Sequence, residues 1–230
     1  MTDGRTLGLL GGTFDPIHYG HLDAAAAAAT ALALDEVRFI PAHDPPHRPI
    51  DPHATPFQRF ALAALAINDR PGYTVSDVEL AREGPSYTID TLRALHDGGW
   101  QPSQLFFIIG TDAFAEIATW KAFPSVLDAA HFAVIARPGM TVDMAVARTP
   151  ELRPRACLAS AYAPGRFGET RILLIEARTR DVSSTLIRQR LGARQPIDDL
   201  MPVAVARHIL SHHLYGAVDT LHGKDERAPK

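Results

Sequence analysis

Apolar residues in this chain fall into two kinds of block that take turns along it. Residues 6–10, 37–40, 104–109 (QLFFII), 131–136 (HFAVIA) and 171–176 (RILLIE) are short and almost unbroken, as strands are when both faces are covered. Residues 73–76 form a weaker candidate of the same kind. Between them lie helical stretches: the alanine-rich 20–34, then 87–96 closed by Gly98 and Gly99, 184–191 and 202–212, with short helices at 113–118 and 124–129. Thr55, Pro56 and Gln58 occupy the cap, first and third positions of a further helix that runs to about Ile67. The intervening PAHDPPHRPIDPHATP is rich in proline, which removes backbone donors and forbids helix, so it reads as an exposed loop. Residues 139–169 show no usable pattern.

Strands separated by helices predict an α/β fold: a Rossmann-like, doubly wound, mainly parallel sheet with helices on both faces, because each crossover returns the chain in the same direction. One domain over residues 1–216, including the C-terminal helices, and a polar, mobile tail over 217–230 are expected. In such sheets ligands sit beyond the carboxyl ends of the strands. Residues 11–21, 110–112 and 137–139 fall at such ends.

Composition narrows the setting. With 230 residues and 46% hydrophobic content, the chain can enclose a small ligand in one core. Its formal charge of −3, from 23 basic and 26 acidic residues, offers no global field for nucleic acid or an anionic membrane, so any polyanion must be held by a local cluster. Cys157 is the only cysteine, which excludes an internal disulfide framework and suits a reducing compartment. The start MTDGRTLGLLGG lacks a signal-peptide pattern, and the apolar segment 24–34 is well short of the roughly 20 residues needed to span a bilayer. A soluble, cytoplasmic protein is expected.

Two stretches carry candidate chemistry. In GGTFDPIHYGHL, Gly11 and Gly12 open a turn between strand and helix, and His18 and His21 stand three apart at the helix start, around Gly20. A helix N-terminus offers unpaired amides and the positive end of the macrodipole, so phosphate is the ligand it suits, and both imidazoles can reach the same anion. The spacing matches neither G-x-G-x-x-G nor a P-loop, since no GK[ST] follows. Read alone, the stretch equally suits a tight glycine turn with capping or solvent-facing histidines. In VSSTLIR, Ser183 or Ser184 caps a helix, Thr185 adds a hydroxyl, and Arg188 lies one turn from Ser184. Hydroxyls, amides and a guanidinium there suit phosphate oxygens, although a simple capped helix has the same pattern. His43, His47 and His53 lie near Asp44 and Asp51, but the prolines between them deny a ligand geometry, so no metal site is expected. His96, His131, His208, His212, His213 and His222 have no motif context and read as ordinary surface or core residues.

Together these stretches resemble the nucleotidyltransferases that carry H-x-G-H and a late I-S-S-T-x-x-R motif, and among them the bacterial nicotinate-mononucleotide adenylyltransferases. The resemblance also takes in PPHR (45–48), PSYT (85–88), IIGTDAF (108–114), Thr119–Trp120 and RPG (137–139), and covers most of residues 5–215. Val182 stands where isoleucine is usual, and Lys121 where an aromatic is common.

The resemblance implies transfer of AMP from ATP to nicotinate mononucleotide, with release of nicotinate adenine dinucleotide and pyrophosphate in NAD biosynthesis. It implies that His18, His21 and Arg188 are catalytic, and that Gly11, Gly12, Thr13 and Phe14 line the ATP turn. Ser183, Ser184 and Thr185 would grip the β- and γ-phosphates, Gly110 and Asp112 would meet ribose, and Arg137 would join the nucleotide site. His47 and Arg48 would close over the reacting phosphates, while Tyr87, Thr88 and Trp120 would form the mononucleotide pocket. Mg²⁺ would arrive with ATP, bound chiefly by phosphate oxygens. No carboxylate or cysteine stands out as an activated nucleophile, which agrees with an attacking phosphate that needs no general base. Alternatives are an adenylyltransferase for nicotinamide mononucleotide or another phosphorylated acceptor such as phosphopantetheine, and a sensor that binds ATP without turnover. Phosphopantetheine enzymes are shorter and usually carry threonine where His18 stands.

Overall fold

The computed structural model describes residues 4–46, 52–163 and 169–217. Strands β1 (Leu7–Gly12), β2 (Glu36–Pro41), β3 (Tyr73–Val75), β4 (Leu105–Gly110), β5 (His131–Ala136), β6 (Ala156–Leu158) and β7 (Ile172–Glu176) form one sheet in the order β3-β2-β1-β4-β5-β7-β6. Every ladder is parallel. The longer helices are α1 (Tyr19–Leu32), α2 (Pro56–Ile67), α3 (Thr88–Asp97), α6 (Ser184–Gly192) and α7 (Val203–Ser211); α4 (Thr111–Phe114) and α5 (Val142–Ala145) are single turns. The doubly wound sheet expected from the sequence is present, with the ends of its strands and longer helices shifted by one or two residues, as such ends fray; the short helix expected at 113–118 is instead the turn α4 followed by a 3-10 turn at Ile117–Thr119, and that at 124–129 is a 3-10 turn over Ser125–Asp128. Strand β6 and the turn α5 were illegible, since both lie in the stretch 139–169 where apolar residues keep no period.

The unbroken apolar runs have their reason in the two layers. Along β4, Phe106 and Ile108 face the core that holds α1, α2, α6 and α7, whereas Leu105, Phe107 and Ile109 face the core that holds α3. Neither side of a central strand meets water, so alternation disappears. From β1 the chain builds outward through β2 and β3, then crosses back to place β4 on the other flank of β1. Loops leaving β1 and β4 therefore diverge, and a crevice opens at their carboxyl ends.

Helix α2 starts as expected. Thr55 Oγ1 accepts the Gln58 amide and Gln58 Oε1 accepts the Thr55 amide, with Pro56 at the first helical position. Its buried stripe, Arg59, Leu62, Ala63, Ala66 and Ile67, is apolar except for its first member. Arg59 has no solvent exposure and donates to three carbonyls: Nε to Ala54 O (3.1 Å), Nη1 to Thr13 O (2.7 Å) and Nη2 to His43 O (3.1 Å). Beside it, the equally buried Asp15 accepts the amides of His53 (2.9 Å) and Ala54 (3.1 Å). These bonds join the turn after β1 to both flanks of the proline-rich loop.

Ala217, expected in the tail, belongs to the core: it is 5% exposed and its amide donates to Leu214 O. Residues 218–230, the rest of the expected tail, lie outside the described residues. Among the described residues no helix is long and apolar enough to cross a membrane. His131, at the start of β5, is also core. It stacks on Phe106 (centroids 4.7 Å apart), accepts the Arg171 amide at Nδ1 (2.9 Å) and meets the Tyr162 hydroxyl at Nε2 (3.2 Å).

Two measurable consequences follow from the buried polar groups. Burial pushes the pKa of His131, and of His18 in the turn, from 6.5 down to about 4. Between those values the unfolded chain binds more protons than the folded one, so stability falls as pH falls through this window. Each ring should contribute a slope approaching roughly 1.4 kcal/mol per pH unit, read by urea denaturation. An NMR titration placing either imidazole near 6.5 would contradict this. Replacing Arg59 by Met strands three buried carbonyls and should lower the unfolding free energy by about 3 kcal/mol; a loss below roughly 1 kcal/mol, within the ordinary surface range, would show that the guanidinium does not hold the turn.

Candidate functional site

A cavity of about 1060 Å³ lies over the carboxyl ends of β1, β4 and β5. That volume is at the upper end for small-molecule sites and suits a ligand with more than one ring system. Its floor is Leu10, Gly11, Gly12 and Thr13 on one side and Ile108, Ile109 and Gly110 on the other. His18, Gly20 and His21 form one wall, and the loop 177–182 after β7 stands against them.

The histidine pair is tightly packed. The two rings stack with centroids 3.8 Å apart, and Phe14 meets His21 edge-on at 5.0 Å. His18 is the N-cap of α1, and its amide donates to His21 Nδ1 (3.2 Å). Because Nδ1 of His21 accepts, the ring proton belongs on Nε2, where it can be donated to an oxyanion. Burial keeps His18 neutral at physiological pH, which also removes the repulsion two stacked imidazolium rings would suffer. Gly20 leaves room for the pair: a Cβ there would sit 3.1 Å from the His18 ring and 3.4 Å from Val182 Cγ1, so a side chain would press the ring by a few tenths of an ångström. At Gly12 a Cβ would meet the Phe14 ring at 2.9 Å. Phe14, held at a φ of 51°, turns that ring into the core beneath the turn.

One expectation needs correction. The sequence offers the first-turn amides of α1 to phosphate, but the Tyr19 amide donates to Leu200 O (3.0 Å) and the His21 amide to His18 O (3.0 Å). Side-chain imidazoles, rather than a row of bare amides, dominate this wall. The reason is that the segment leading into α7 packs against the helix start, and the first turn tightens.

The late motif comes to the same turn. Ser183 caps α6 by accepting the Leu186 amide (3.1 Å), Ser184 Oγ donates to Pro16 O (2.9 Å), and Arg188 Nη1 donates to Asp15 O (2.5 Å). Arg188 also reaches Thr185 Oγ1 (3.3 Å) and lies 3.8 Å from the Asp15 carboxylate. Segments some 170 residues apart are thus bonded directly, with separations of 168 and 173 positions. Ser183, Ser184, Thr185 and Arg188 do not themselves line the cavity; Val182, which leads into them, does.

Gly110 and the exposed Asp112 and Arg137 line the cavity beyond β4 and β5. At the far end Tyr87, at the N-cap of α3, and Thr88 face Trp120, which is edge-on to Phe107 at 5.8 Å. Lys121 lies over the Tyr87 ring (4.5 Å) and pairs with Asp90 (2.7 Å). His47 and Arg48 fall outside the described residues, as does Asp51. Among the described residues no three His, Cys, Asp or Glu side chains stand together as a metal site. Burial pushes the Cys157 thiol up, so nothing activates it.

Sequence reasoning missed three residues and one loop. Asp15 was visible as a lone carboxylate inside the quoted glycine turn, and Arg59 as the one charge on an apolar stripe. Glu79 gave no signal: it lines the cavity, accepts from Thr91 Oγ1 (2.5 Å), and its carboxyl is pushed up by burial. The loop 177–182 was likewise unread, since its position depends on sheet order.

Residues 9–190 match the family model described as cytidylyltransferase-like. A protein of Roseiflexus sp. (strain RS-1) named "Probable nicotinate-nucleotide adenylyltransferase" is 41% identical over 91% of this chain and 97% of its own length. One of the same name from Moorella thermoacetica is 40% identical over 91% of each. Among solved structures, a Plasmodium falciparum nicotinic acid mononucleotide adenylyltransferase complexed with NaAD has the same fold, with a TM-score of 0.69 at 16% identity, covering 93% of this chain and 98% of that one. The extent of these matches establishes that the chain belongs to the cytidylyltransferase-like nucleotidyltransferases and, within them, to the nicotinate-nucleotide adenylyltransferases.

Proposed function

We propose that the protein adenylylates nicotinate mononucleotide. A phosphate oxygen of the mononucleotide attacks the α-phosphorus of ATP, the bond from that phosphorus to the bridging oxygen breaks, and nicotinate adenine dinucleotide and pyrophosphate leave. The observation that carries this reading is the direct bonding of the late motif to the histidine turn, through Ser184 to Pro16 O and Arg188 to Asp15 O. Donors from both ends of the chain are thereby gathered at one mouth of the cleft.

The attacking phosphate is already ionised at neutral pH, so no residue need remove a proton, and a neutral His18 is compatible with the chemistry. Catalysis then rests on in-line placement and on donors aimed at growing charge. In this assignment His21 Nε2–H donates to the α-phosphoryl oxygens, while His18, Thr13 and the Gly11, Gly12 and Phe14 backbone line the same turn. Arg188, Ser183, Ser184 and Thr185 exchange their present partners for the β- and γ-phosphates. Gly110 and Asp112 take the ribose, Arg137 guards the nucleotide end, and His47 and Arg48 close over the reacting groups.

Trp120, Tyr87 and Thr88 receive the pyridine mononucleotide, with the indole as a stacking surface. The Lys121 ammonium beside that pocket is already paired with Asp90 and lies over the Tyr87 ring, so it braces the pocket rather than recognising the substrate's carboxylate. Nucleotidyltransferases of this kind generally use a divalent metal with ATP. Mg²⁺ is our assignment for that metal; it would arrive with ATP and, when bound, would neutralise charge on the triphosphate. The imidazole, hydroxyl and guanidinium donors of the cleft suit phosphate oxygens rather than a dedicated metal cage. The reaction is placed in the cytoplasm, in keeping with a single thiol.

Two kinetic outcomes test this. With ATP as co-substrate, kcat/KM for nicotinate mononucleotide should exceed that for nicotinamide mononucleotide at least tenfold, about 1.4 kcal/mol, as pyrophosphate release reports. Equal or greater rates with the amide would refute the substrate. His21→Ala should lose two or more decades of kcat, on the order of 3 kcal/mol, while ATP binding weakens only a few-fold. Unchanged turnover would remove His21 from the mechanism, and a wild type that binds ATP without turnover would make the protein a sensor.

A further inference from the structure

The loop 177–182 has its own attachment to the histidine helix. Arg180 is fastened to Asp23 at three points: its amide (2.9 Å) and Nε (3.0 Å) donate to Oδ2, and Nη2 (2.8 Å) to Oδ1. Its guanidinium lies 3.7 Å over the ring of Tyr19, the residue between His18 and Gly20. Hydrogen bonding from Arg180 holds the Asp23 carboxyl below the ordinary carboxylate range.

An ion pair as exposed as this one, with side chains 50% and 22% accessible, adds little to global stability. Its geometry is nonetheless demanding. A bidentate fork, a backbone amide and a stacked ring fix the loop in translation and in rotation, which a single charge pair does not. Two residues on, Val182 packs toward Gly20, and the next residue, Ser183, caps α6. Arg180, Asp181 and Val182 line the cleft opposite His18 and His21.

We infer that Asp23, Arg180 and Tyr19 form a positioning clamp that sets the width of the phosphate cleft, by pinning the strand-end loop to the helix that carries the two histidines. The inference rests on the assignment of ATP phosphates to this cleft. Its physical need arises there. If Arg188 and Ser184 turn to phosphate, their bonds to Asp15 O and Pro16 O are given up, and the two walls would lose their direct ties at the moment of reaction. The clamp uses none of those donors. Because Asp23 already neutralises Arg180, the guanidinium serves as a fastening rather than a phosphate ligand.

Hydrogen exchange on the nucleotide-free protein reads the clamp without reference to turnover. In Asp23→Ala and in Arg180→Ala the amides of residues 177–182 should exchange about tenfold faster, while those of β4 and β5 stay as in the parent. In steady-state assays each variant should raise KM for ATP about five- to tenfold and leave KM for the mononucleotide within twofold; the double variant should be no worse than either single one. Arg180→Lys, which keeps charge but loses the fork and the planar stack, should fall between. The exchanged pair Asp23→Arg with Arg180→Asp should recover part of the loss. Unaltered exchange in both single variants, or losses that add in the double variant, would overturn the clamp. If the parent fails to turn over ATP and nicotinate mononucleotide, the functional assignment falls, and the exchange data still decide the clamp.

Discussion

Two charges without solvent, Arg59 and Asp15, lie under the turn that follows β1, and the rest of the site depends on where they hold it. Burying a guanidinium and a carboxylate is unfavourable unless nearly every donor and acceptor finds a partner. Here the partners are backbone groups of segments that have no regular structure to keep them in place: Thr13 O, His43 O and Ala54 O for the arginine, and the His53 and Ala54 amides for the carboxylate. The cost of burial is thus turned into definition of a turn and of both roots of a proline-rich loop. The Tyr215 hydroxyl lies buried near these groups, and burial first, then the Asp15 charge, holds its proton more firmly.

On that base the sheet supplies direction. Parallel order places every strand's carboxyl end on one side, and the reversal between β1 and β4 opens the crevice there. The net charge is −3, yet Arg137, Arg178, Arg180 and Lys121 all border the cleft. Local arrangement, rather than overall charge, is what makes the site attractive to a polyphosphate. Two of these cations have carboxylate partners in the protein, Arg180 with Asp23 and Lys121 with Asp90, so they shape the cleft and leave Arg137 and Arg178 to charge it.

Much of this was legible in the sequence. QLFFII and HFAVIA read as doubly covered strands from their short, unbroken apolar runs, the Thr55–Pro56–Gln58 cap was readable to the residue, and the pairing of the histidine stretch with VSSTLIR carried the resemblance. What stayed hidden depended on assembly. The three residues of β6 become a strand only because β7 lies beside them, and the Tyr19 amide at the start of α1 is taken by Leu200 O, from a segment the local pattern does not mention. Asp15 and Arg59 were visible as charges in apolar surroundings, but local sequence does not say which carbonyls or amides they meet. The clamp between Asp23 and Arg180 spans 157 positions, and two unremarkable charges at that distance carry no signal until the fold brings them together.

The central claim is that the histidine turn and the α6 motif are two sides of one triphosphate site. A crystal structure with a non-hydrolysable ATP analogue tests it most directly. The account predicts phosphate oxygens within hydrogen-bond distance of His21 Nε2 on one side and of the Arg188 guanidinium on the other, with Arg188 released from Asp15 O. A triphosphate bound elsewhere, or one that touches only one of these sides while Arg188 stays on Asp15, would contradict it.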